Sequence, residues 1–373
     1  MAPVVANFSN QLRLRKEPPR GARRVVFVLV YALGAVLFLE GVARGILASE
    51  SLSGAAAARS SAGWRLAWLD RQQPDVPIYH SFDAFDPMLG WVSKPNVDGA
   101  DTFGPGSVHT NSAGLRGQLE VPVDKTGDRP RVLIIGDSFT FGDEVRDDET
   151  YPHLLNGLLP EAEVVNFGVH GYGHDQMLLL LREKALEYQP DLVVLGFVRD
   201  DMERNMLSFR DFAKPHFVLA GDGLSLRNVP VPAPREVARR YRWRPRLLDF
   251  ATIVRDNYLW KVGLSNRRME ALTTALLDEM VEETVAGGAV FALAYLPHSE
   301  ELLDADLETV GHEFFETYCD ERAAFCLDLL PRFRQDMEEG ATIRAPGHWH
   351  QVGHHLAAEA IAEYVDRRDL LNL

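Results

Sequence analysis

The fold is decided by residues 131–142, which read Arg-Val-Leu-Ile-Ile-Gly-Asp-Ser-Phe-Thr-Phe-Gly. The apolar, β-branched run 131–135 predicts a short buried strand. A tight Gly-Asp-Ser turn follows it and leads toward a helix. Ligands bind at the carboxyl ends of strands in open α/β sheets, so Ser138 is a candidate nucleophile. On this segment alone, the alternative is that Ser138 caps the N-terminus of the helix.

Strand and helix patterns alternate after this turn. Apolar strands that alternate with helices indicate a parallel sheet covered on both faces. We therefore predict a flavodoxin-like, doubly wound α/β domain over residues 129–373, with an insertion at about 206–262 where prolines and glycines break the rhythm. The predicted strands are 163–167, 191–198, 289–296 and 325–329, and the predicted helices are 151–159, 176–188 (strongly amphipathic), 267–286 and 353–365.

The N-terminal region has the pattern of a membrane anchor. Residues 1–24 carry six basic side chains and one acid, and Val25–Leu39 carries no charge. The run reaches a spanning length at Leu47 if Glu40 and Arg44 pair or snorkel. We predict a cytoplasmic basic tail (1–24), a transmembrane helix or signal anchor (25–47) and an extracytoplasmic tether and extension (48–128). The alternative is a cleaved signal peptide.

The positive-inside rule gives the orientation. It predicts a single-pass protein of the inner (plasma) membrane, with a cytoplasmic N-terminus and a periplasmic or otherwise extracytoplasmic domain. Because residues 1–24 contribute +5 to a formal charge of −15, the remainder carries −20. This acidic part of the chain repels phosphate backbones, so we do not expect nucleic acid as a partner. In an exported chain Cys319 and Cys326 form either a disulfide or two small buried apolar residues.

A histidine-rich loop precedes the last helix. Residues 347–354 read Gly-His-Trp-His-Gln-Val-Gly-His. A serine hydroxyl needs an adjacent base to become a good nucleophile, and bases can come from distant parts of a chain. We predict that His348 is the base for Ser138. The neighbouring histidines 350, 354 and 355 lack a carboxylate motif, so no metal site and no cofactor is predicted.

Four separated blocks, from Arg131 to the C-terminus, resemble those of the SGNH (GDSL-like) hydrolase superfamily, membrane-anchored bacterial type. They are 136–139 (Gly-Asp-Ser-Phe), 165–171 (Val-Asn-Phe-Gly-Val-His-Gly), 195–201 (Leu-Gly-Phe-Val-Arg-Asp-Asp) and 347–348 (Gly-His). The resemblance implies the SGNH hydrolase fold, Ser138 as nucleophile, His348 as general base, and an oxyanion hole formed by Ser138 and Gly171. Segments 86–96 and 111–117 resemble an upstream extension of such proteins, for which we expect a packing role.

Two positions depart from the family pattern. Asp200 stands where an asparagine normally donates to the oxyanion, and a carboxyl can donate only if burial keeps it protonated. Asn205 and Gln176 are substitute donors. Ala345 stands where an aspartate normally orients the histidine, and Asp201 is a candidate replacement. The acidic run 143–149 is expected to be a solvated loop, and histidines 170 and 174 are expected to line the cleft.

The resemblance and the location together predict a serine esterase. The expected substrate is an O-acyl group on a cell-envelope glycan, or another small ester. Three alternatives stay open: an O-acyltransferase that uses the same serine, a catalytically impaired glycan-binding or assembly protein, and a thioesterase or lysophospholipase with a long apolar slot beside Ser138. The sequence identifies no protein partner.

Overall fold

The computed structural model describes residues 20–49, 57–71, 82–101, 107–221, 223–304, 307, 309–322, 324–343 and 347–371. Its central sheet has five parallel strands in the order β5-β4-β3-β1-β2. This is the order of flavodoxin-like sheets, so the predicted fold class is confirmed. The strands are β1 (Arg131–Gly136), β2 (Glu163–Gly168), β3 (Leu192–Phe197), β4 (Val290–Tyr295) and β5 (Phe325–Asp328).

Helices cover both faces of this sheet. The chain steps from β1 to β2 in one direction and from β2 through β5 in the other, which sends the connecting helices to opposite faces. Accordingly α4 packs against α13, and α5 packs against α9. The helices are α1 (Arg20–Leu47), α2 (Ser61–Arg71), α3 (Ser138–Phe141), α4 (Tyr151–Leu158), α5 (His174–Glu183), α6 (Arg199–Asn205), α7 (Pro234–Tyr241), α8 (Arg246–Lys261), α9 (Leu264–Ala286), α10 (Ser299–Leu303), α11 (Val310–Arg322), α12 (Leu330–Glu338) and α13 (Gln351–Arg368).

The core lies around the neighbouring strands β1 and β3. Every residue of β1 and β3 is buried, whereas the edge strand β5 is partly exposed. The prediction of one amphipathic helix over 176–188 is wrong in detail. Residues 174–181 of α5 are all buried, because α5 packs against both the sheet and α9, and a 3₁₀ turn follows at Ala185–Tyr188.

Glycines stand at the last position of β1 and β2 and at the penultimate position of β3, because α3 lies directly on these strand ends. A Cβ at Gly168 would stand 2.3 Å from the backbone nitrogen of Phe141. A Cβ at Gly136 would stand 2.0 Å from Thr140 Oγ1, and one at Gly196 would stand 2.7 Å from the same atom. These contacts fix the height of the turn that carries Ser138.

Additional elements surround the sheet. An antiparallel hairpin of Asp83–Asp86 and Gly90–Ser93 precedes it. Between α6 and α7 the strands Phe209–Arg210 and Phe212–Ala213 pair, and a second hairpin joins His216–Ala220 to Gly223–Arg227. Cys319, near the end of α11, forms a disulfide with Cys326 of β5. The disulfide alternative therefore holds for this pair.

The apolar N-terminal run is helical, as predicted. Arg23–Leu47 is long and apolar enough to cross a membrane, with a mean hydropathy of 2.4 over its most apolar window, none of which is buried by protein. The predicted pair is present, with Arg44 Nη2 2.8 Å from Glu40 Oε1. Glu40 also accepts hydrogen bonds from the N–H groups of Arg246 (3.0 Å) and Leu247 (2.8 Å). It therefore caps the N-terminus of α8.

Replacing Gly168 by Ala tests the close contact between β2 and α3. The new methyl group meets backbone rather than a flexible side chain, so the strand and the turn must separate. We expect a loss of about 1–3 kcal/mol, as for other overpacked cores, and a lower unfolding temperature of the detergent-solubilised full chain by circular dichroism. Gly157→Ala is the control, because a Cβ there meets nothing within 4 Å. Equal unfolding temperatures for the two variants would contradict this account.

Candidate active site

Ser138 lies at the start of a short helix with its hydroxyl uncommitted to capping. The cap is Asp137, whose Oδ1 accepts a hydrogen bond from the N–H of Phe139 at 3.0 Å. Ser138 is the first residue of α3. The alternative that Ser138 is the N-cap is therefore wrong, and its Oγ faces the histidine loop instead.

His348 reaches Ser138 from the far end of the chain. The distance from His348 Nε2 to Ser138 Oγ is 2.9 Å. The loop is held by the buried Trp349, whose Nε1–H donates to the carbonyl oxygen of Pro297 at 2.9 Å. The Phe139 ring centroid lies 4.9 Å from that of His348. The predicted nucleophile and base are thus brought into hydrogen-bond contact.

A carboxylate from an unexpected part of the sequence lies beside His348. Glu144 Oε1 lies 3.3 Å from His348 Nδ1, and Glu144 has a φ of 70°, which is uncommon outside glycine. The proposed replacement Asp201 is wrong, because its carboxylate pairs with Arg204 at 2.5 Å. Position 345, where the family aspartate would stand, lies outside the described residues.

The loop that follows α3 is part of the site. Asp143 is buried, and its Oδ2 lies 3.9 Å from His348 Nε2. The same oxygen contacts Nδ1 of His170. Burial lowers the pKa of His170, but the carboxylates of Asp143, Asp83 and Asp211 outweigh it and raise the pKa to about 9. The pKa therefore favours the cationic form of His170 at neutral pH. The expectation of a solvated loop holds for Glu144, Arg146 and Asp148, which are exposed, but is wrong for Asp143.

Two backbone N–H groups are available for an oxyanion. Within the described part of the chain, no acceptor takes a hydrogen bond from the N–H of Ser138 or of Gly171. Gly171 has a φ of 74°, a conformation that favours glycine. Asp200 does not meet the condition set by the sequence. Its carboxylate is 46% exposed and lies 3.5 Å from Arg199 Nε, so it is not the buried side chain that the condition requires. Asp200 is thus corrected to a surface ion-pair residue.

The other proposed donors are committed elsewhere. Gln176 Nε2 donates to the carbonyl oxygen of Leu89 at 2.8 Å. Asn205 Nδ2 contacts His174 Nδ1 and Thr273 Oγ1, each at 3.1 Å. Both side chains are fully buried. His174 is fully buried too and does not line the cleft, and its burial lowers its pKa to about 3.

Two arginines beside the nucleophile were not identified from the sequence. Arg204 Nη1 donates to Asp137 Oδ2 at 2.7 Å and to the carbonyl oxygen of Tyr172 at 2.9 Å. Arg210 Nη1 lies 2.8 Å from the position that a Cβ on Gly171 would take. Burial lowers the pKa of Arg204, but Asp201 and Asp137 outweigh it and raise the pKa. A fixed positive charge therefore stands next to the strand end.

The upstream extension holds the loop that carries Gly171. Trp91 Nε1–H donates to the carbonyl oxygen of His170 at 2.9 Å, and the hydroxyl of Tyr172 donates to the carbonyl oxygen of Trp91. The packing role expected for segment 86–96 thus has a specific form. The extension is hydrogen-bonded on both sides of Gly171.

The surroundings of Ser138 include the ionisable side chains of Asp143, Glu144 and His348. Cavities of about 360 to 660 Å³ lie elsewhere, lined by other described residues. Of the clustered histidines, His354 is engaged, since its Nδ1 accepts from the N–H of Tyr151 at 3.2 Å. Elsewhere His312, Glu316 and Asp328 lie close enough to share a cation, but they are distant in sequence from every block of the site.

Comparison with known proteins gives structural matches only. No family model and no curated protein matches the chain. A lipolytic protein of the G-D-S-L family from Desulfitobacterium hafniense is 17% identical, with a TM-score of 0.38 over 63% of this chain and 98% of that one. A lipase/acylhydrolase from Enterococcus faecalis is 17% identical, with a TM-score of 0.40 over 64% and 96%.

A third match is an acetylxylan esterase from Geobacillus stearothermophilus, solved as a catalytic mutant. It is 16% identical, with a TM-score of 0.40 over 65% of this chain and 96% of that one. Solved structures of the G-D-S-L family are thus among those that the chain resembles.

The buried His354 predicts a specific pH dependence of stability. Burial lowers its pKa to about 3 from an ordinary value of 6.5. Below pH 6.5, His354 therefore binds a proton in the unfolded chain but not in the folded chain. The stabilising contribution is complete above pH 6.5 and is lost as the pH falls toward 3, with a slope of about 1.4 kcal/mol per pH unit.

His354→Asn removes this titration and keeps an acceptor for the N–H of Tyr151. We expect the free energy of unfolding to fall less steeply between pH 6 and pH 4, because one proton fewer is taken up on unfolding. Denaturant titrations followed by tryptophan fluorescence measure this slope. His355→Asn, at the exposed neighbouring position, is the matched control and leaves the slope unchanged. If the unfolding free energy of His354→Asn depends on pH as steeply as that of the unaltered chain, the prediction is wrong.

Proposed function

We propose that the chain is a serine ester hydrolase of the SGNH type, with Ser138 as nucleophile, His348 as base and Glu144 as the acid that orients His348. The contact that carries the proposal is the 2.9 Å hydrogen bond between His348 Nε2 and Ser138 Oγ. This contact supports the predicted pair. The alanine at position 345 favoured a catalytically impaired protein, because the usual orienting carboxylate is missing there. Glu144 supplies such a carboxylate from another position.

The proposed chemistry has two steps. Ser138 Oγ attacks the carbonyl carbon of the ester while His348 Nε2 takes its proton, and His348 then gives that proton to the leaving alcohol. A water molecule attacks the acyl-enzyme, His348 takes the proton of the water, and that proton returns to Ser138. The N–H groups of Ser138 and Gly171 bind the oxyanion in both steps.

The positive charges of the site support the same assignment. Arg204 and Arg210 lie beside Asp137 and Gly171, where the negative charge of the tetrahedral intermediate develops. Fixed positive charge in a poorly solvated place stabilises such an intermediate without reorganisation. Arg204 is paired with Asp137 and Asp201, and Arg210 with Asp211, so the arginines supplement the two backbone N–H groups rather than replace the family asparagine.

The proposed substrate is an ester with a short acyl group on a hydroxyl-rich acceptor, such as an O-acylated envelope glycan. The residues around Ser138 are charged or hydrogen-bonding: Glu144, His170, Arg204 and Arg210. Long acyl chains need an enclosed apolar slot, whereas these four side chains are polar. Short acyl groups are therefore favoured over those of thioesters and lysophospholipids. Transfer to a sugar would use the same groups with water excluded.

We propose further that α1 is a retained membrane anchor with the domain on the extracytoplasmic side. A cleaved signal peptide makes no contacts in the mature protein, because it has been removed. Glu40, by contrast, pairs with Arg44 and caps the first turn of α8. Removing α1 would leave the N-terminus of α8 without this cap.

Hydrolysis of p-nitrophenyl acetate by the full chain tests the catalytic assignment. We expect Ser138→Ala and His348→Ala to lower kcat on the order of 10⁴-fold or more, with loss of labelling by a fluorophosphonate in Ser138→Ala. Glu144→Gln should lower kcat less, by about 10- to 10³-fold, because its carboxylate is 36% exposed and the loss from a buried triad acid is about 10⁴-fold.

The matched control for Glu144 is Asp148→Asn, an exposed acid of the same loop that pairs only with Arg146 among the described residues. Its kcat should equal that of the unaltered chain. Full activity in Glu144→Gln would remove Glu144 from the mechanism. Full activity in Ser138→Ala would overturn the proposal as a whole.

The link between Trp91 and the Gly171 loop predicts a kinetic effect. Trp91→Phe keeps an aromatic ring but removes the hydrogen bond to the carbonyl oxygen of His170. A lost hydrogen bond is worth about 0.5–1.5 kcal/mol, so kcat should fall about 2- to 10-fold while KM stays unchanged. Trp243→Phe, at a position that is 85% exposed, is the control. An unchanged kcat in Trp91→Phe would show that the extension serves stability alone.

A further inference from the structure

A strongly basic segment joins α7 to α8. Residues 239–246, here called the arginine corner, read Arg-Arg-Tyr-Arg-Trp-Arg-Pro-Arg. Five of these eight residues are arginine and none is acidic, in a chain whose formal charge is −15. A local cluster of positive charge in an otherwise acidic protein indicates that the cluster binds an anionic partner.

The outer part of the arginine corner is free to meet such a partner. Trp243 is 85% exposed, the highest value among the large apolar side chains of the described residues. Arg239, Arg240 and Arg242 are exposed as well, and no described carboxylate lies within ion-pair distance of them. The inner pair differs, because Arg244 and Arg246 both approach Asp249, at 3.1 and 3.5 Å.

The position of the arginine corner follows from its contact with α1. Glu40 accepts hydrogen bonds from the N–H groups of Arg246 and Leu247. The helix between Arg23 and Glu40 rises about 26 Å, close to the hydrocarbon thickness of a bilayer, which is about 30 Å. If Arg23 marks one interface, Glu40 marks the other. The arginine corner then lies at the headgroup level where α1 leaves the membrane.

We infer that the arginine corner docks on anionic lipid headgroups of the leaflet in which α1 ends, with Trp243 at the interface. The inference rests on the proposed membrane anchor. Tryptophan is enriched at membrane interfaces, and arginines near an anionic surface bind it electrostatically. The capping contact with Glu40 holds this basic segment against the bilayer, which favours lipid over a soluble polyanion. The domain would thereby be clamped to the surface in one orientation.

The test uses the full chain in nanodiscs made with brominated acyl chains, either phosphatidylcholine alone or phosphatidylcholine mixed with phosphatidylglycerol. The readout is the quenching of tryptophan fluorescence. We expect a quenched component in the mixed lipid that disappears in Trp243→Phe and persists in Trp260→Phe, whose ring is partly buried under Arg59. Charge reversal of Arg239, Arg240 and Arg242 to Glu should abolish it. Reversal of Arg267 and Arg268, which are exposed on α9, should leave it unchanged.

The outcomes separate the anchor from the docking. A chain that does not co-elute with nanodiscs overturns both proposals. A chain that co-elutes but shows no Trp243-dependent quenching overturns the docking alone. Quenching that survives reversal of the three arginines overturns the role of anionic headgroups. Protection of Trp243 from aqueous iodide by added heparin, without quenching by the lipid, would assign the arginine corner to a soluble polyanion instead.

Discussion

The close contact of α3 with three strand ends is the constraint on which the rest of the site depends. Gly136, Gly168 and Gly196 leave no room for a Cβ, because Thr140 and the backbone of Phe141 occupy that space. Asp137 caps the turn and in turn accepts from Arg204. Ser138 is therefore held mainly by backbone packing, and its Oγ lies 2.9 Å from His348 Nε2 and 3.4 Å from Asp137 Oδ2.

The fold was predictable from the sequence because the sheet strands are local apolar runs with clear breaks between them. The Ser138–His348 contact was predictable only through the motif blocks, since nothing in the intervening residues specifies that two loops should meet. Glu144 escaped prediction for a physical reason. An acid within the run 143–149 has the same local pattern whether it faces solvent or a histidine.

The wrong donor assignments share one cause. Asp200, Asn205 and Gln176 have suitable side chains near the right blocks, but availability depends on burial and on hydrogen-bond partners supplied by distant elements. Gln176 donates to Leu89 of the upstream extension. That extension also holds the Gly171 loop through Trp91, a contact between residues about 80 positions apart that no local pattern encodes.

The acid that we propose to orient His348 lies on the segment that also carries the nucleophile. With Glu144 as the acid, nucleophile and acid lie on one continuous segment, six residues apart, and His348 alone comes from elsewhere. The loop held by Trp349 must therefore place His348 between Ser138 Oγ and Glu144 Oε1. An acid three residues before the histidine would lie on the same loop as the histidine and add no such requirement. The buried Trp349 thus carries positioning that an aspartate on the histidine loop would otherwise share.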